Sequence, residues 1–470
     1  MKRLLIAAVF VIVSAQALAA QDYHYWTHQY GSKSALMGGA VRAGVDDTSA
    51  GYYNPARLAF ISNESLSASA SLYQVDVLSV ENGAGTGTDL RSQQARIVPL
   101  LASGILLLKA APRHAFGFNI VARQYWSVFG TARRSDDVDI IPEARSPGME
   151  RYVGQFKFRG SLNEFWAGLS YAYRFDDHFA IGATHYAALR LQDQDVAFVT
   201  RAVNVGNFDM FGADNIADVG YYNVRMLWKV GFSADLGDFK AAATLTTASL
   251  NMFGSGSVGR NVTFINLDND NDGTGDSFVA DDRQENMQTQ FRSPWAFGIG
   301  IEYKFRSNTR LTTDMEWFLP VGRYSVMVPK DKNFLVGVPF DLSTRNQLRV
   351  DDVRRGCFNV GIGLEQQFVP AVSGTWSLRF DQSTRNEPEG EVLELGIASW
   401  NLVHVTTGVV IRSAKNEFSL GVQISIGTGK AFQAVDFSRP REDNLLVGTP
   451  GRAEQSYLSF AIIAGYTFYI

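Results

Sequence analysis

Asp268, Asp270 and Asp272 alternate with Asn269 and Asn271 ahead of Gly273, and Asp276 follows. Oxygen ligands at alternate residues before a glycine turn suit a hard cation, in the spacing of a calcium loop. The twelfth position is Val279, so the bidentate carboxylate is missing unless Asp281 or Asp282 supplies it. The stretch reads either as a weak calcium site or as a solvated acidic loop tip; calcium is the one cofactor suggested, and none is required. A second chemistry, capture of a carboxylate, needs an arginine or lysine in a sheltered place. Arg123, Arg174 and Arg379 fall on the less apolar faces of alternating segments. Each pairs either with a ligand carboxylate or with an acid of the chain such as Asp314, Glu316 or Asp381. Phe208 and Phe211, with Tyr221 and Tyr222 nearby, offer aromatic surface to an apolar ligand.

Catalytic spacings are missing. His24, His28, His114, His178, His185 and His404 form no His-Glu-x-x-His pattern, and there is no Gly-x-Ser-x-Gly elbow. Gly254 to Gly259 fits Gly-x-Gly-x-x-Gly, but no helical segment follows to receive a phosphate. No enzyme is expected, although a catalytic set assembled only by folding escapes such a search. A formal charge of −4 argues against nucleic acid as a partner. The lone Cys357 forms no internal disulfide and reads as a small apolar strand residue.

The segments that must position these residues alternate with a period of two. Phe297, Ile299, Ile301, Tyr303 and Phe305 share one face, against Gly298, Gly300, Glu302 and Lys304 on the other; Phe418 to Ile426 repeats the split against Ser419, Gly421, Gln423 and Ser425. Strands are expected near 65–80, 92–108, 114–126, 162–175, 179–195, 221–235, 239–252, 288–305, 308–320, 354–368, 372–384, 400–412, 416–429 and 455–470. These are about fourteen, an even number that lets a sheet close without a free edge in lipid. Connections alternate between short turns, as at Asp176 to His178 and Gly237-Asp238, and long polar stretches near 127–161, 196–220, 253–287, 321–353 and 430–454. Such an alternation is that of a transmembrane antiparallel β-barrel with its turns in the periplasm. Leu72 and Tyr73 break the phase of the first strand, which predicts a bulge. Met1 to Ala20 reads as an export leader: Lys2-Arg3, an apolar run from Leu4 to Val13, and Ala17-Leu18-Ala19 before the cut.

Gly31-Ser32-Lys33-Ser34-Ala35-Leu36-Met37-Gly38-Gly39-Ala40, Asp46-Asp47 and Tyr53-Asn54-Pro55-Ala56 resemble the N-terminal hatch signature of FadL-type outer-membrane transporters of long-chain fatty acids and other hydrophobic compounds. Leu169 to Phe175 leading into Phe179-Ala180-Ile181-Gly182, and Ser293-Pro294-Trp295 leading to Thr313-Asp314-Met315-Glu316-Trp317, are similar to strand pairs of the same family. Arg57 stands where that motif usually has glycine, and the chain ends in Ile470 in place of an aromatic. The resemblance implies that residues 21–64 fold into the lumen as a plug around Gly38, Gly39, Asn54, Pro55 and Ala56, within a barrel of residues 65–470. It also implies that substrate leaves sideways beside a kinked third strand, for which Gly117 is the candidate break. A turn-rich segment that cannot span lipid must in any case lie in the lumen or the periplasm.

The expected protein is thus an exported outer-membrane channel for hydrophobic compounds such as long-chain fatty acids. Its partners are the hydrophobic small molecule or fatty acid and outer-membrane lipid, with the barrel a monomer. The alternative is a non-transporting barrel whose long loops serve adhesion or assembly. A continuous apolar pocket between plug and wall would favour the first, and a lumen filled by ion pairs the second.

Overall fold

The computed structural model describes residues 22–268, 272–306, 308–331, 335–336, 344–386, 393–394, 399–433 and 435–470, so the leader expected at 1–20 lies outside the described residues. The strands, in chain order, are β1 (Ser65–Val80), β2 (Leu90–Leu107), β3 (His114–Val138), β4 (Glu150–Arg174), β5 (Phe179–Asn204) and β6 (Met210–Leu236). Then come β7 (Phe239–Thr246), β8 (Leu250–Leu267), β9 (Asp276–Gln288), β10 (Ala296–Lys304), β11 (Thr309–Phe318), β12 (Val321–Met327) and β13 (Leu335–Val336). The last are β14 (Val350–Arg354), β15 (Cys357–Val369), β16 (Val372–Asp381), β17 (Leu393–Glu394), β18 (Asn401–Arg412), β19 (Asn416–Phe432) and β20 (Arg452–Tyr469).

β7 and β8 both pair with β6, and β9 and β10 pair with β8 and β7, so each couple forms one interrupted stave of the wall. Counted this way the wall has the expected fourteen staves, and β20 closes it on β1 from Ser65↔Tyr469 to Val80↔Gln455. β12, β14 and β17 form a small separate sheet. The expected bulge is present: the register of β1 shifts between Ser71 and Tyr73 against β20, and both Leu72 and Tyr73 are exposed.

The outer face is apolar in a band, with Leu169, Ile299, Ile301, Trp317, Leu378, Val405 and Ile424 all exposed. Water would oppose such a surface, whereas lipid accepts it, and the aromatic residues near the short turns, Tyr171, Phe179, Phe232, Tyr303, Trp376 and Phe468, match the girdle of a membrane barrel.

One expectation fails. The stretches near 127–161, 196–220 and 253–287 are not mainly loops, because β3 to β6, β8 and β9 run through most of them as hairpins. Their alternation changes sense. On β4 the bulky residues point outward at Phe165, Leu169 and Tyr171 but inward at Tyr152, Phe156 and Phe158. Above the lipid, water bathes the outside and the apolar side turns to the lumen, so the same period of two carries the opposite pattern.

Candidate functional site

Residues 22–64 pack inside the barrel. α1 (Lys33–Leu36), α2 (Ala50–Tyr53) and a 3₁₀ turn (Pro55–Phe60) are almost wholly buried. The motif residues explain themselves locally. Gly38 and Gly39 take φ of +64° and +70°, open to glycine at no cost. The Asn54 side chain accepts from Ala56 N at 3.1 Å and caps the 3₁₀ turn, with Pro55 in the first position where no amide is needed.

Wall glycines make room for this plug. A Cβ on Gly182 would lie 2.5 Å from the Pro55 carbonyl carbon, one on Gly408 would lie 2.6 Å from a Leu36 methyl, and one on Gly363 would lie 2.8 Å from the Met37 carbonyl oxygen. Gly298 and Gly300 face Arg42 in the same way. Ion pairs then lock the plug to the wall: Arg42 Nε to Asp314 at 2.7 Å, Arg42 Nη2 to Glu316 at 3.4 Å and Arg57 to Asp235 at 2.9 Å. Asp314 and Glu316, which the sequence offers to Arg123, Arg174 or Arg379, are thus engaged by the plug. Arg57 acquires a partner that glycine would not have.

β2 and β3 part company midway. They pair only from Leu101↔Val121 to Leu107↔Ala115. Beyond that point β2 continues to Leu90 bonded to β1 alone, and β3 to Val138 bonded to β4 alone. Pro99, which has no amide to donate, sits on β2 where the pairing stops, as a proline must at a strand edge. A bulge marks the same place on β3, where the register slips between Ala122 and Gln124 and turns Arg123 into the lumen. Gly117, the expected break, lies in unbroken ladders to Ile105 and Ser170, so the irregularity belongs to Arg123.

Side chains fasten the unpaired seam. Arg96 Nη1 donates to Ser127 Oγ at 3.0 Å, and Phe129 N to Ser92 Oγ at 3.1 Å. Inside, the segment Asp22–Tyr30 stands where β2 has withdrawn. The Tyr30 hydroxyl donates to Ala122 O at 3.0 Å, His28 Nε2 to Tyr125 O at 3.3 Å, and Gln124 Nε2 reaches Asp22 O and His24 O at 3.0 and 3.1 Å. Backbone groups freed at membrane depth need such partners.

His24 anchors this segment at its outer end. Its Nδ1 is 2.7 Å from Asp22 Oδ1 and its Nε2 2.8 Å from Trp400 O. Both partners are acceptors, so both ring nitrogens carry protons and the imidazole is cationic. Burial alone would lower its pKa, and the Asp22 carboxylate overrides burial and holds it raised. His28 behaves oppositely, pushed down to about 4 by burial and by Arg96.

Behind the bulge lies a cluster of arginines and aromatics. The Arg123 guanidinium is 5.4 Å from the Trp166 ring and 5.5 Å from that of Tyr25. Phe291, carried inward by the interruption between β9 and β10, lies beneath Arg190 at 3.9 Å, Arg225 at 4.9 Å and Arg354 at 5.2 Å. Glu164 accepts from Arg190 Nη1 at 2.9 Å and Trp166 Nε1 at 2.7 Å. Arg225 Nη2 is 2.5 Å from Glu164 but poorly aligned for a hydrogen bond, and its Nη1 has no hydrogen-bond partner among the described residues. A cavity of about 30 Å³, room for about one water, opens among Tyr25, Arg123, Trp166, Arg225, Phe291 and Arg354. The cluster can hold an anion against aromatic faces.

Above it the lumen is apolar. Trp126, Phe156, Val196, Val219, Val262 and Phe264 face inward, and the segment 435–451 dips onto them with Phe437 and Leu446 fully buried. That segment was expected as a displayed loop and instead fills the mouth, tied by the Tyr152 hydroxyl to Leu446 O at 2.7 Å. Below the cluster, around the plug, ion pairs interleave with a second apolar core built from Tyr30, Leu36, Met37, Leu58, Leu101 and Leu227.

Of the arginines singled out in the sequence, only Arg123 reaches this cluster. Arg379 supports the plug, donating to Gly38 O at 3.2 Å and Thr27 O at 3.3 Å. Arg174 is half-buried at the periplasmic end of β4. Phe208 is 77% exposed at the tip between β5 and β6, whereas Phe211 is buried under the Arg145 guanidinium at 5.6 Å. Arg190, Arg225 and Arg354 come from separate strands and Phe291 from the break between β9 and β10, so no common spacing marks them in the sequence.

In the acidic loop, Asp268 accepts from the amides of Asp272 and Gly273 at 3.0 and 2.9 Å, and Asp270 lies outside the described residues. Among the described residues no three acidic, histidine or cysteine side chains converge, and Asp276 begins β9.

No protein-family model matches the sequence, nor does any curated protein. Solved structures do match. The Pseudomonas putida toluene transporter TodX superposes with a TM-score of 0.58 at 12% identity over 94% of this chain and 99% of its own. A Pseudomonas aeruginosa FadL homologue gives 0.56 at 12% over 97% and 99%, and the Ralstonia pickettii toluene transporter TbuX 0.53 at 14% over 94% and 99%. The chain has the FadL-type fold. In this FadL-type barrel the closed wall and its apolar band place the protein in the bacterial outer membrane, as the leader and the alternation led us to expect.

Proposed function

We propose that this protein is an outer-membrane channel for hydrophobic compounds, with long-chain fatty acids and similar anionic amphiphiles as substrates. The observation that carries this reading is the parting of β2 and β3 at the foot of an apolar outer lumen, with the arginine cluster between them. The neighbouring structures described as toluene transporters and as a FadL homologue support the hydrophobic class.

The route follows from the chemistry. An apolar molecule displaces the 435–451 segment and enters the outer lumen, where burial of its own apolar surface drives partition at roughly 25 cal/mol per Å². Arg225, with an unused Nη1, and Arg123 receive a carboxylate head. Withdrawal of Asp22–Tyr30 then uncovers the seam, and the chain passes sideways into lipid between β2 and β3. Arg174, Arg379, Phe208 and Phe211 take no part in this contact.

The test is uptake of a labelled fatty acid by cells making the parent or Arg225→Gln, together with mass spectrometry of amphiphiles retained by the purified protein. Slower uptake and less retained carboxylate in the variant support the reading; equal values overturn the head-group role. A second reading, a barrel that displays its hairpins, draws on the ion-paired lower lumen and on a cavity of only about 30 Å³. Complete absence of uptake and of retained amphiphile would select it.

A further inference from the structure

The outer wall carries three neighbouring cations that close no salt bridge among the described residues. On β4 the outward row runs from Leu169, Ala167 and Phe165 through Asn163 and Ser161 to Arg159 and Lys157, and β3 contributes Arg133; all three cations are exposed. Register sets Arg159 against Phe129 and Gln155 against Arg133. Arg133 is then the diagonal neighbour of Lys157 at about 7–8 Å. Lys157 and Arg159, two apart on one face, are also about 7 Å apart.

Like charges so placed repel, and nearby wall cations avoid this by pairing. Arg134 pairs with Asp136, Arg151 with Asp137, Arg201 with Asp214 and Arg283 with Asp218. Arg133, Lys157 and Arg159 close no ion pair among the described residues; Asp195, in register with Arg159 on β5, and Asp193, which feels the Arg159 charge at longer range, flank only one end of the row. An arrangement that costs stability in isolation is relieved when anions from outside bridge it.

Height identifies the anions. The last exposed large apolar residue of β3 is Phe129, in register with Arg159, and Arg133 lies four residues further along β3. Four residues are about 13 Å along the strand, and a tilt of roughly 40° reduces this to about 10 Å above the edge of the apolar band. That is where the phosphorylated sugars of an outer-leaflet glycolipid sit over their acyl chains. We infer that Arg133, Lys157 and Arg159 form a docking site for the phosphate groups of lipopolysaccharide on the β3–β4 wall. The inference rests on the outer-membrane reading but not on transport.

The experiment uses the full mature protein, purified in detergent and stripped of glycolipid, with rough lipopolysaccharide or its phosphatase-treated form as probe and native mass spectrometry as readout. The parent should bind the phosphorylated probe about tenfold or more tightly than the Arg133→Gln/Lys157→Gln/Arg159→Gln variant, charge-assisted contacts being the strong ones. The difference should shrink as salt is added. The treated probe should not distinguish parent from variant, and Lys304→Gln at the periplasmic rim should bind like the parent. Lys157→Gln alone should show a smaller loss and keeps the test available if the triple variant does not fold. Equal binding of the phosphorylated probe by parent and variants overturns the inference, as does equal binding of the treated probe by the parent. Failure here would leave uptake untouched, whereas a protein that does not enter lipid would sink both readings.

Discussion

The Tyr30 hydroxyl of the plug donates to the carbonyl of Ala122 on β3 at 3.0 Å, at the height where β2 no longer pairs with that strand. A plug side chain thus replaces a neighbouring strand. Tyr30→Phe leaves that carbonyl buried without its donor, at a cost of about 1–3 kcal/mol. Hydrogen exchange should accelerate over residues 122–126 while the rest of the wall is unchanged.

Close approach of plug to wall makes a second prediction. Gly182→Val places a side chain against the Pro55 backbone, which cannot yield as a flexible side chain would. Overpacking of this kind costs about 1–3 kcal/mol. The barrel should still form, and the plug should become more accessible to protease, with larger single-channel conductance in planar bilayers.

The His24 clip gives a pH dependence with a definite sign. Burial opposes its charged form, and the Asp22 carboxylate, with Asp381 adding to the effect, overrides burial and raises its folded pKa above the ordinary value. The clip's stabilisation is therefore fully present below the ordinary histidine pKa and is lost as pH rises through the raised value. A spin label beside the clip should become more mobile on going to alkaline pH, and His24→Gln should abolish that dependence. A label that loosens on acidification to the same extent would contradict the assignment.

Alternation, short turns and an even strand number were legible because a lipid-facing strand must be apolar on one side. The hatch motif was legible because Gly38, Gly39 and Asn54 answer local backbone needs. The upper hairpins were not, since an apolar residue such as Phe158 marks the lumen side there and the outside lower down; only the switch of phase near Asn163 and Ser161 signals it. Pro99 was an available sign of the strand edge. The arginine cluster had no sign at all: Glu164 and Arg225 come from the closed wall, Phe291 from the break between β9 and β10, and Arg354 from the separate small sheet, and only folding brings them together.

The lipid-facing band is tested by Leu169→Arg, which puts a charge on a 72% exposed wall residue. In bilayers this should cost about 2–4 kcal/mol near the midplane. Refolding into vesicles under denaturant measures it, and no loss of stability would place Leu169 in water.

The most direct test of the lateral route is a short, reducible thiol cross-link between cysteines introduced at Ser92 and Ser127, on the two edges of the seam, with buried Cys357 as the background thiol. Fatty-acid uptake by cells carrying the cross-linked protein should fall sharply and return on reduction. Unchanged uptake with the seam closed would contradict passage between β2 and β3.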